Sequence, residues 1–545
     1  MTTRGGGGGV RAAMTARVVA EIVAGRSADP VRLAEAVRAG ARQSRYAGLL
    51  PWREAGLAMG RAGIAVLCAE MDRRRPGRGW DRAGHEHLAA AAASATPYDL
   101  SLFSGLSGIG LAAILLASGR PRYRRLLAAV DATLAPAVER ASSKLATANG
   151  CAASDFDLVS GLTGMGTYLL ARHQLTGDPA LLSQALSGLV PLLASEDRPR
   201  RWHTPADLAT GSLRETYPRG HLNCGLAHGA PGPMALLSLA LLEGVEVSGS
   251  RAAIEATATW LTAHRSGTAT DPDWPDAIPL DAPDPAPPDP APTRPAPTRP
   301  APTRPASAGP SSTGHSSGAQ TPCRPPSTGS PSTGSPSGVA SSGVASSLVA
   351  STVQGAVGRA SAESAPGRAA WCYGAPGVAR GLWLAGTALD RPDWRELAAR
   401  TIRAVAARPP EAWWLSTPAF CHGRAGLLQV LRRFAADLAD PALAATAEIL
   451  AADLAAEYDP DSVLGLRSVE PEGTLVDHPG LLDGAPGVAL ALLGLPPPHD
   501  GPPNDGPPHD GPPSAGAGPH AAGDASPSAG GSRPGAQWDR MFLLS

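Results

Sequence analysis

Aromatic residues and excess charge are scarce in this chain. Phe, Trp and Tyr make up only 4% of it, while Ala and Leu dominate the apolar fraction. Because strands favour aromatic and β-branched residues, this balance predicts an all-α protein. The formal net charge is -1 at pH 7, which leaves no basic surplus to neutralise phosphates. Nucleic acid is therefore not an expected partner.

Long apolar runs and clustered cysteines are missing as well. The longest apolar runs, such as 109–117 and 488–495, are far shorter than the roughly 18 to 20 residues that a membrane span needs. The six cysteines lack the tight spacing of a disulfide framework, and no early apolar run resembles a signal peptide. We therefore expect a cytoplasmic protein without a membrane span.

Two segments rich in Pro, Gly and Ser are predicted to be disordered. The first, 271–365, contains three tandem Ala-Pro-Thr-Arg-Pro units, and the second, 496–534, repeats Asp-Gly-Pro-Pro. Such compositions bury too little apolar area to offset the entropy lost on ordering. With a glycine-rich tail, 1–14, also predicted to be disordered, a single domain spans 15–545 apart from these interruptions. The apolar end 538–545 after the second segment is expected to dock back onto that domain.

A Gly-x-x-Gly motif recurs six times, each time before an apolar run typical of a helix. The first glycines of the six copies are Gly105, Gly161, Gly229, Gly374, Gly423 and Gly484. Except across the first insertion, they are spaced by roughly 50 to 70 residues, which suits one antiparallel helix pair per repeat. Six or seven such pairs can close into a ring, with the N-termini of the inner helices meeting at one end.

Two copies of this motif carry cysteine two positions before the first glycine. They are Cys372, and Cys421 with its neighbour His422. Two cysteines and a histidine provide three N/S ligands, the number that catalytic zinc takes from protein when a fourth position stays open. Taken singly, either cysteine is more simply a buried free thiol. The shared placement and the adjacent histidine favour a metal site.

Two further polar residues precede other copies of the motif. His228 stands directly before Gly229, as His422 stands before Gly423, and equivalent positions of a ring face a common centre. This equivalence favours a functional role for His228 over a capping or core role. Asp157 lies four residues before Gly161, where helix capping and a role in the site are equally open.

These residues and their surroundings resemble the lanthionine synthetase C-like family, the lantibiotic cyclases. The resemblance is carried by Asp157 with Gly-Leu-Thr-Gly at 161–164, Gly-Leu-Ala-His-Gly at 225–229, Arg368 with Trp-Cys-Tyr-Gly at 371–374, Cys-His-Gly at 421–423, and the terminal Trp-Asp-Arg with Leu-Leu-Ser. It covers most of the chain from residue 16, apart from the two low-complexity segments. Cys224 departs from the family pattern, since a bulkier apolar residue is commoner there.

The resemblance implies an α/α toroid of six to seven helical hairpins with a zinc site. Its implied site residues are the zinc ligands Cys372, Cys421 and His422 and the catalytic residues His228, Asp157 and Arg368. No seventh Gly-x-x-Gly is recognised, so a seventh hairpin would need a degenerate repeat in the first hundred residues. The implied reaction adds a peptide cysteine to dehydroalanine or dehydrobutyrine to give a thioether ring.

The implied chemistry suits these residue types. Zinc deprotonates a coordinating thiol, and the enolate formed by addition needs a proton donor. His228 could supply that proton or first accept the proton of the thiol, Asp157 could orient His228, and Arg368 could stabilise the enolate oxygen.

The expected partners are a dehydrated precursor peptide, with leader and core, and a separate dehydratase, because no dehydratase or kinase-like domain is visible in the chain. An exporter is a further candidate partner.

Two alternatives from other classes stay open. One is a carbohydrate-active hydrolase on an α/α toroid, which would need two carboxylates flanking a cleft and would leave the cysteines without a role. The other is a non-catalytic member of the family that binds peptide or thiol ligands.

Overall fold

The computed structural model describes residues 7–46, 48, 51–197, 200–209, 211–282, 367–494 and 537–545. Within these ranges the chain forms seventeen α-helices, three short strand pairs and three 3-10 helices. The helices are, in chain order, α1 (Gly7–Ala28), α2 (Pro30–Gln43), α3 (Arg61–Arg74), α4 (Trp80–Ala93), α5 (Leu106–Ala117), α6 (Arg124–Thr147), α7 (Ala153–Phe156), α8 (Leu162–Thr176), α9 (Ala180–Ala194), α10 (Ser212–Thr216), α11 (Pro231–Leu242), α12 (Ser250–Ala263), α13 (Ala375–Ala388), α14 (Pro392–Ala407), α15 (Arg424–Asp437), α16 (Pro441–Ala456) and α17 (Ala485–Leu493).

The other elements are short. Three antiparallel strand pairs are β1 (His221–Asn223) with β4 (Ala277–Pro279), β2 (Ser266–Gly267) with β3 (Pro272–Asp273), and β5 (Ser468–Val469) with β6 (Leu475–Val476). Three 3-10 helices span Pro410–Trp413, Pro471–Gly473 and Trp538–Phe542. No helix in the described ranges is both long and apolar enough to cross a membrane.

Seven of the described helices form an inner ring. They contact one another in the order α3, α5, α8, α11, α13, α15 and α17, and α17 contacts α3, which closes the ring. Most of the residues in these helices are buried, because apolar and small residues occupy all their faces. The predicted α/α toroid is therefore confirmed.

The outer helices complete seven hairpins. α4, α6, α9, α12, α14 and α16 each pack on the inner helix that precedes them in the chain. The seventh outer helix is α1, which packs on α17 and α16. The seventh hairpin is therefore built from two helices that lie far apart in the sequence.

One sequence interpretation is wrong. The inner helix α3 follows Gly60-Arg61-Ala62-Gly63, an intact copy of the motif with the same residues as Gly423–Gly426. The seventh repeat lies in the first hundred residues, as expected, but it is not degenerate. Its apolar run is shortened by Glu70 and Asp72 in the second half of the helix, which makes the copy easy to overlook.

Close packing explains why the last position of each Gly-x-x-Gly motif is a glycine. In all seven repeats a Cβ atom at this position would lie 1.9–2.6 Å from the carbonyl oxygen of the residue six positions earlier. The pairs are Gly63 and Leu57, Gly108 and Leu102, Gly164 and Leu158, Gly232 and Leu226, Gly377 and Trp371, Gly426 and Phe420, and Gly487 and Leu481. The loop before each inner helix thus folds back onto the first turn of that helix, where only glycine leaves room.

Main-chain hydrogen bonds join these seven loops into a closed circle. In each loop, the residue two positions before the first glycine, or its neighbour, donates its N–H to the equivalent carbonyl of the next repeat, over 2.8–3.4 Å. The donor and acceptor pairs are Ala58 to Phe103, Phe103 to Val159, Leu158 to Ala227, Ala227 to Cys372, Cys372 to Cys421, Cys421 to Leu482, and Leu482 to Ala58. Residues at equivalent positions of successive repeats therefore become neighbours in space.

The C-terminal segment docks onto the ring, as its apolar residues predict. Trp538, Met541, Phe542, Leu543 and Leu544 are all buried. The segment contacts α8 and packs its aromatic rings against those of the loops before α13 and α15. It therefore belongs to the core of the toroid.

Two observed boundaries differ from the predicted ones. α1 begins at Gly7, inside the tail predicted at 1–14. The strands β3 and β4 occupy part of 271–282, which composition placed in the first insertion. β4 pairs with β1, a partner distant in sequence that composition does not reveal. The rest of the two predicted disordered segments lies outside the described residues.

Candidate metal centre and active site

The loop circle brings the two predicted cysteine ligands together. Cys372 and Cys421 occupy the same position in adjacent repeats, and the N–H of Cys372 donates to the carbonyl oxygen of Cys421 over 3.3 Å. Their thiols are hydrogen-bond partners. This hydrogen bond and burial raise the pKa of Cys421 well above its usual value, and a coordinated cation would favour its thiolate form.

His422 and a carboxylate lie beside these thiols. His422 and Asp483 occupy the position directly before the first glycine in adjacent repeats, with Nδ1 of His422 3.6 Å from Oδ1 of Asp483. The ligand atoms of Cys421, His422 and Asp483 lie within 4.8 Å of one another. Cys372 lies next to Cys421 but is not part of this closest group of three.

Asp483 was not predicted from the sequence. Its Oδ1 is buried and has no hydrogen-bond partner in the described part of the chain, as expected of an oxygen that would contact a cation. The available signal was its position before Gly484, equivalent to that of His422 before Gly423. A donor set of thiol, imidazole and carboxylate fits zinc, which accepts all three.

The surroundings favour a neutral imidazole at the centre. Burial, together with the positive charge of Arg368, lowers the pKa of His422 to about 4. A neutral imidazole is the form that binds a metal ion. Buried His478 is electrostatically coupled to both His422 and Asp483, and its Nδ1 also has no hydrogen-bond partner within the described ranges. His478 was not predicted from the sequence.

Arg368 is close to the centre, as the family resemblance implies. Its charge adds to burial in lowering the pKa of His422, and at Cys421 it opposes, without reversing, the raised pKa. Arg368 is partly exposed. A cation in this place can face a negative charge that develops on a bound substrate.

His228 and Asp157 form a buried pair. Nδ1 of His228 lies 2.6 Å from Oδ2 of Asp157. The other carboxylate oxygen, Oδ1, accepts the N–H groups of Ser160 at 2.7 Å and Gly161 at 2.9 Å. Asp157 thus braces the loop before α8 and contacts His228, but it does not cap α8, whose N-cap residue is Gly161. When the proton is on Nδ1, the neutral ring leaves Nε2 unprotonated.

Tyr373 connects the two parts of the site. It follows Cys372 in the chain, and its ring stacks on that of His228 with centroids 6.0 Å apart. Its hydroxyl accepts a hydrogen bond of 3.0 Å from the side-chain amide of Asn223. A Cβ atom on Gly225 would lie 2.6 Å from the tyrosine ring, so glycine is needed there. Sequence reasoning noted Tyr373 only as part of a motif.

The residue before the first glycine therefore has an ionisable side chain in four successive repeats. Along one arc of the ring these residues are His228, Tyr373, His422 and Asp483. Fold and site together define a class: an α/α toroid that carries a Cys/His/Asp cluster and a His–Asp pair at the N-terminal end of its inner helices.

The chain belongs to the lanthionine synthetase C-like protein family, whose family model matches residues 51–286 and 354–500. It is similar to the nisin biosynthesis protein NisC of Lactococcus lactis subsp. lactis, with 26% identity over 215 residues. That match covers 37% of this chain and 49% of the relative, so the chain spans about half the length of this curated protein.

A solved structure of a nisin cyclase has the same fold. The TM-score is 0.56 at 20% identity, and the match covers 81% of this chain and 88% of the cyclase chain.

Proposed function

We propose that this protein is a zinc-dependent lanthionine synthetase. It would add cysteine thiols of a precursor peptide to dehydroalanine or dehydrobutyrine and so form lanthionine and methyllanthionine rings. The observation that carries the proposal is the clustering of Cys372, Cys421 and His422 next to the tyrosine that stacks on His228. The family membership and the names of the relatives support the same chemistry.

Three predicted residues, Cys372, Cys421 and His422, would hold the zinc, with Asp483 as a further oxygen donor beside them. A bound zinc ion would supply one property, a lowered pKa for a coordinated substrate thiol whose usual pKa is about 8.5. The neutral imidazole suits this task because it binds a cation without losing a proton. Burial raises the pKa of Asp483, and a bound cation would favour its ionised form.

The remaining residues would handle the charge and the proton of the addition. Attack of the thiolate sulfur on the β-carbon of the dehydro residue forms the C–S bond and leaves an enolate on the peptide. Arg368 would face the enolate oxygen, and Nε2 of His228 would transfer a proton to the α-carbon or accept the proton of the thiol first. Asp157 would hold the ring of His228 and its Nδ1 proton in place.

The geometry gives less support to the two alternatives. A glycoside hydrolase needs two carboxylates that face a substrate between them, whereas Asp157 bonds to His228 and Asp483 lies against His422. A protein that only binds peptide would not require a proton-transferring pair such as His228 and Asp157. The precursor peptide, a separate dehydratase, an exporter and a cytoplasmic location belong to this proposal as well.

The proposal is tested by metal analysis and by ring formation. We expect about one zinc per chain in the purified protein and loss of zinc and activity in Cys421→Ala, because loss of one of three ligands weakens binding severely. Ring formation leaves peptide mass unchanged, so free thiols are counted by alkylation and mass spectrometry after incubation with a dehydrated precursor peptide.

Two results would contradict the assignment. Full zinc occupancy in both Cys372→Ala and Cys421→Ala would exclude these residues as ligands. A zinc-loaded wild-type protein that binds the dehydrated peptide but leaves all thiols free would be the non-catalytic member instead.

A further inference from the structure

The C-terminal segment, 537–545, is held inside the ring by polar contacts. Asp539 is fully buried and accepts hydrogen bonds from Gln429, at 2.8 Å, and from Arg433, both on α15. Arg540 forms an ion pair of 2.9 Å with Glu243, directly after α11. Buried charges are tolerated only when they are paired, so these contacts fix one placement of the segment.

One residue of this segment touches the loops that carry both predicted cysteine ligands. Phe542 stacks on Phe420, with centroids 4.0 Å apart and an interplanar angle of 24°. It also meets Trp371 edge-on at 5.0 Å, and its carbonyl oxygen accepts the indole N–H of Trp371 over 3.0 Å. All three aromatic side chains are fully buried.

The place of these contacts matters for the metal centre. Trp371 directly precedes Cys372, and Phe420 directly precedes Cys421. The two loops also contact each other directly, through a main-chain hydrogen bond from Cys372 to Cys421, the hydrogen bond between the two thiols, and the contact between the rings of Trp371 and Phe420 at 6.0 Å. Phe542 packs against both rings and therefore fixes the residue that directly precedes each of the two cysteines.

We propose that the C-terminal segment is a positioning element of the metal centre, and that Phe542 sets the separation of the Cys372 and Cys421 sulfurs. This inference rests on the zinc site of the proposed function. Residues that contact the metal ligands, but not the metal, raise metal affinity when they hold the ligands in place. The ligands then lose less conformational entropy when the metal binds. A segment that only filled the ring would contribute stability and leave zinc affinity unchanged.

The test compares two alanine variants of the full chain, Phe542→Ala and Leu544→Ala. Both remove a fully buried side chain of the same segment, but only the first removes aromatic contacts to Trp371 and Phe420. Zinc affinity is measured by competition with a chromophoric chelator on folded protein, and stability by urea unfolding. Absorption of the Co²⁺-substituted proteins reports the thiolate ligands directly.

We expect Phe542→Ala to weaken zinc binding about 10- to 100-fold and to change the cobalt–thiolate absorption. Leu544→Ala should lower the free energy of unfolding, whereas its zinc affinity should stay within about threefold of wild type. That change is smaller than the one expected for a residue that positions the metal ligands. Phe542→Leu keeps most of the buried volume and serves where the alanine variant does not fold; it should weaken zinc binding by about tenfold.

Equal zinc affinities in the Phe542 and Leu544 variants would overturn the inference and leave the proposed function intact. Absence of zinc from the wild-type protein would overturn both. The two failures are therefore distinguishable in a single experiment.

Discussion

The buried pair of His228 and Asp157 offers the sharpest test of the proposed chemistry. Truncation by His228→Ala removes the imidazole and leaves Oδ2 of Asp157 without its 2.6 Å partner. A buried acceptor without that partner costs about 1–3 kcal/mol of the free energy of unfolding. The lost proton transfer should cost about 10²- to 10⁴-fold in the rate of ring formation.

Asp157→Asn alters the same pair but keeps a side chain of nearly the same size at position 157. The amide oxygen can still accept the N–H groups of Ser160 and Gly161, so the loop before α8 should stay folded. The amide NH₂ group, however, would face Nδ1 of His228 and favour the tautomer protonated on Nε2. A charge-assisted hydrogen bond is worth about 1.5–3 kcal/mol, which corresponds to about a 10- to 150-fold loss of rate.

The assay follows zinc content, melting temperature and free thiols of the dehydrated peptide in the two single variants and in the double variant. If the two residues act as a unit, the double variant should be no slower than His228→Ala, since effects within one unit are not additive. A capping or packing histidine would instead lower stability and zinc content together. Near-normal ring formation in a folded, zinc-loaded His228→Ala protein would refute a proton-transfer role.

Three further changes test the set of metal ligands, the predicted disorder of the first Pro-rich segment, and the packing of the ring. Cys372→Ala should lose more zinc than Asp483→Ala if the predicted ligands are correct, as measured by metal analysis; the reverse order would favour the closest group of three in the structure. Deleting 283–338 should leave the melting temperature and ring formation nearly intact, because closure entropy grows only logarithmically with loop length; an unfolded protein would show that the segment packs. Gly426→Ala places a Cβ 2.1 Å from a carbonyl oxygen and should cost at least about 1–3 kcal/mol in urea unfolding, whereas Gly25→Ala, with nothing within 4 Å, should cost nothing.

The ring could be predicted from the sequence because its main determinant is local. Each Gly-x-x-Gly motif reflects a contact within seven residues of chain, between the second glycine and the carbonyl oxygen six positions before it. Six copies are identifiable in the sequence from the motif and the apolar run that follows each of them. The copy at Gly60–Gly63 lacks a continuous apolar run, because the polar residues Glu70 and Asp72 interrupt it.

Other features depend on residues that meet only in the folded chain. The pair Asp483-Gly484 is typical of an ordinary surface turn, so the sequence does not single it out. The proximity of Asp483 to His422 follows from the order of the repeats in the ring. Ordering of the β4 residues 277–279 depends on β1, which lies more than fifty residues earlier. The assigned roles of His228, Asp157 and Arg368, and of the three predicted ligands, remain predictions for the experiments above.

The pairing of α1 with α17 has a consequence for biosynthesis. Val23 and Ala24 of α1 are fully buried, and α1 packs mainly on α17 and α16. On the ribosome these helices emerge several hundred residues later, a delay of tens of seconds at about 5–20 residues per second. Until then the other hairpins can stack only as an open array, with apolar edges at both ends. Closure of the toroid is thus a late event, because α1 cannot complete its packing until α17 has been synthesised. The nascent chain must be kept from aggregating in the interval.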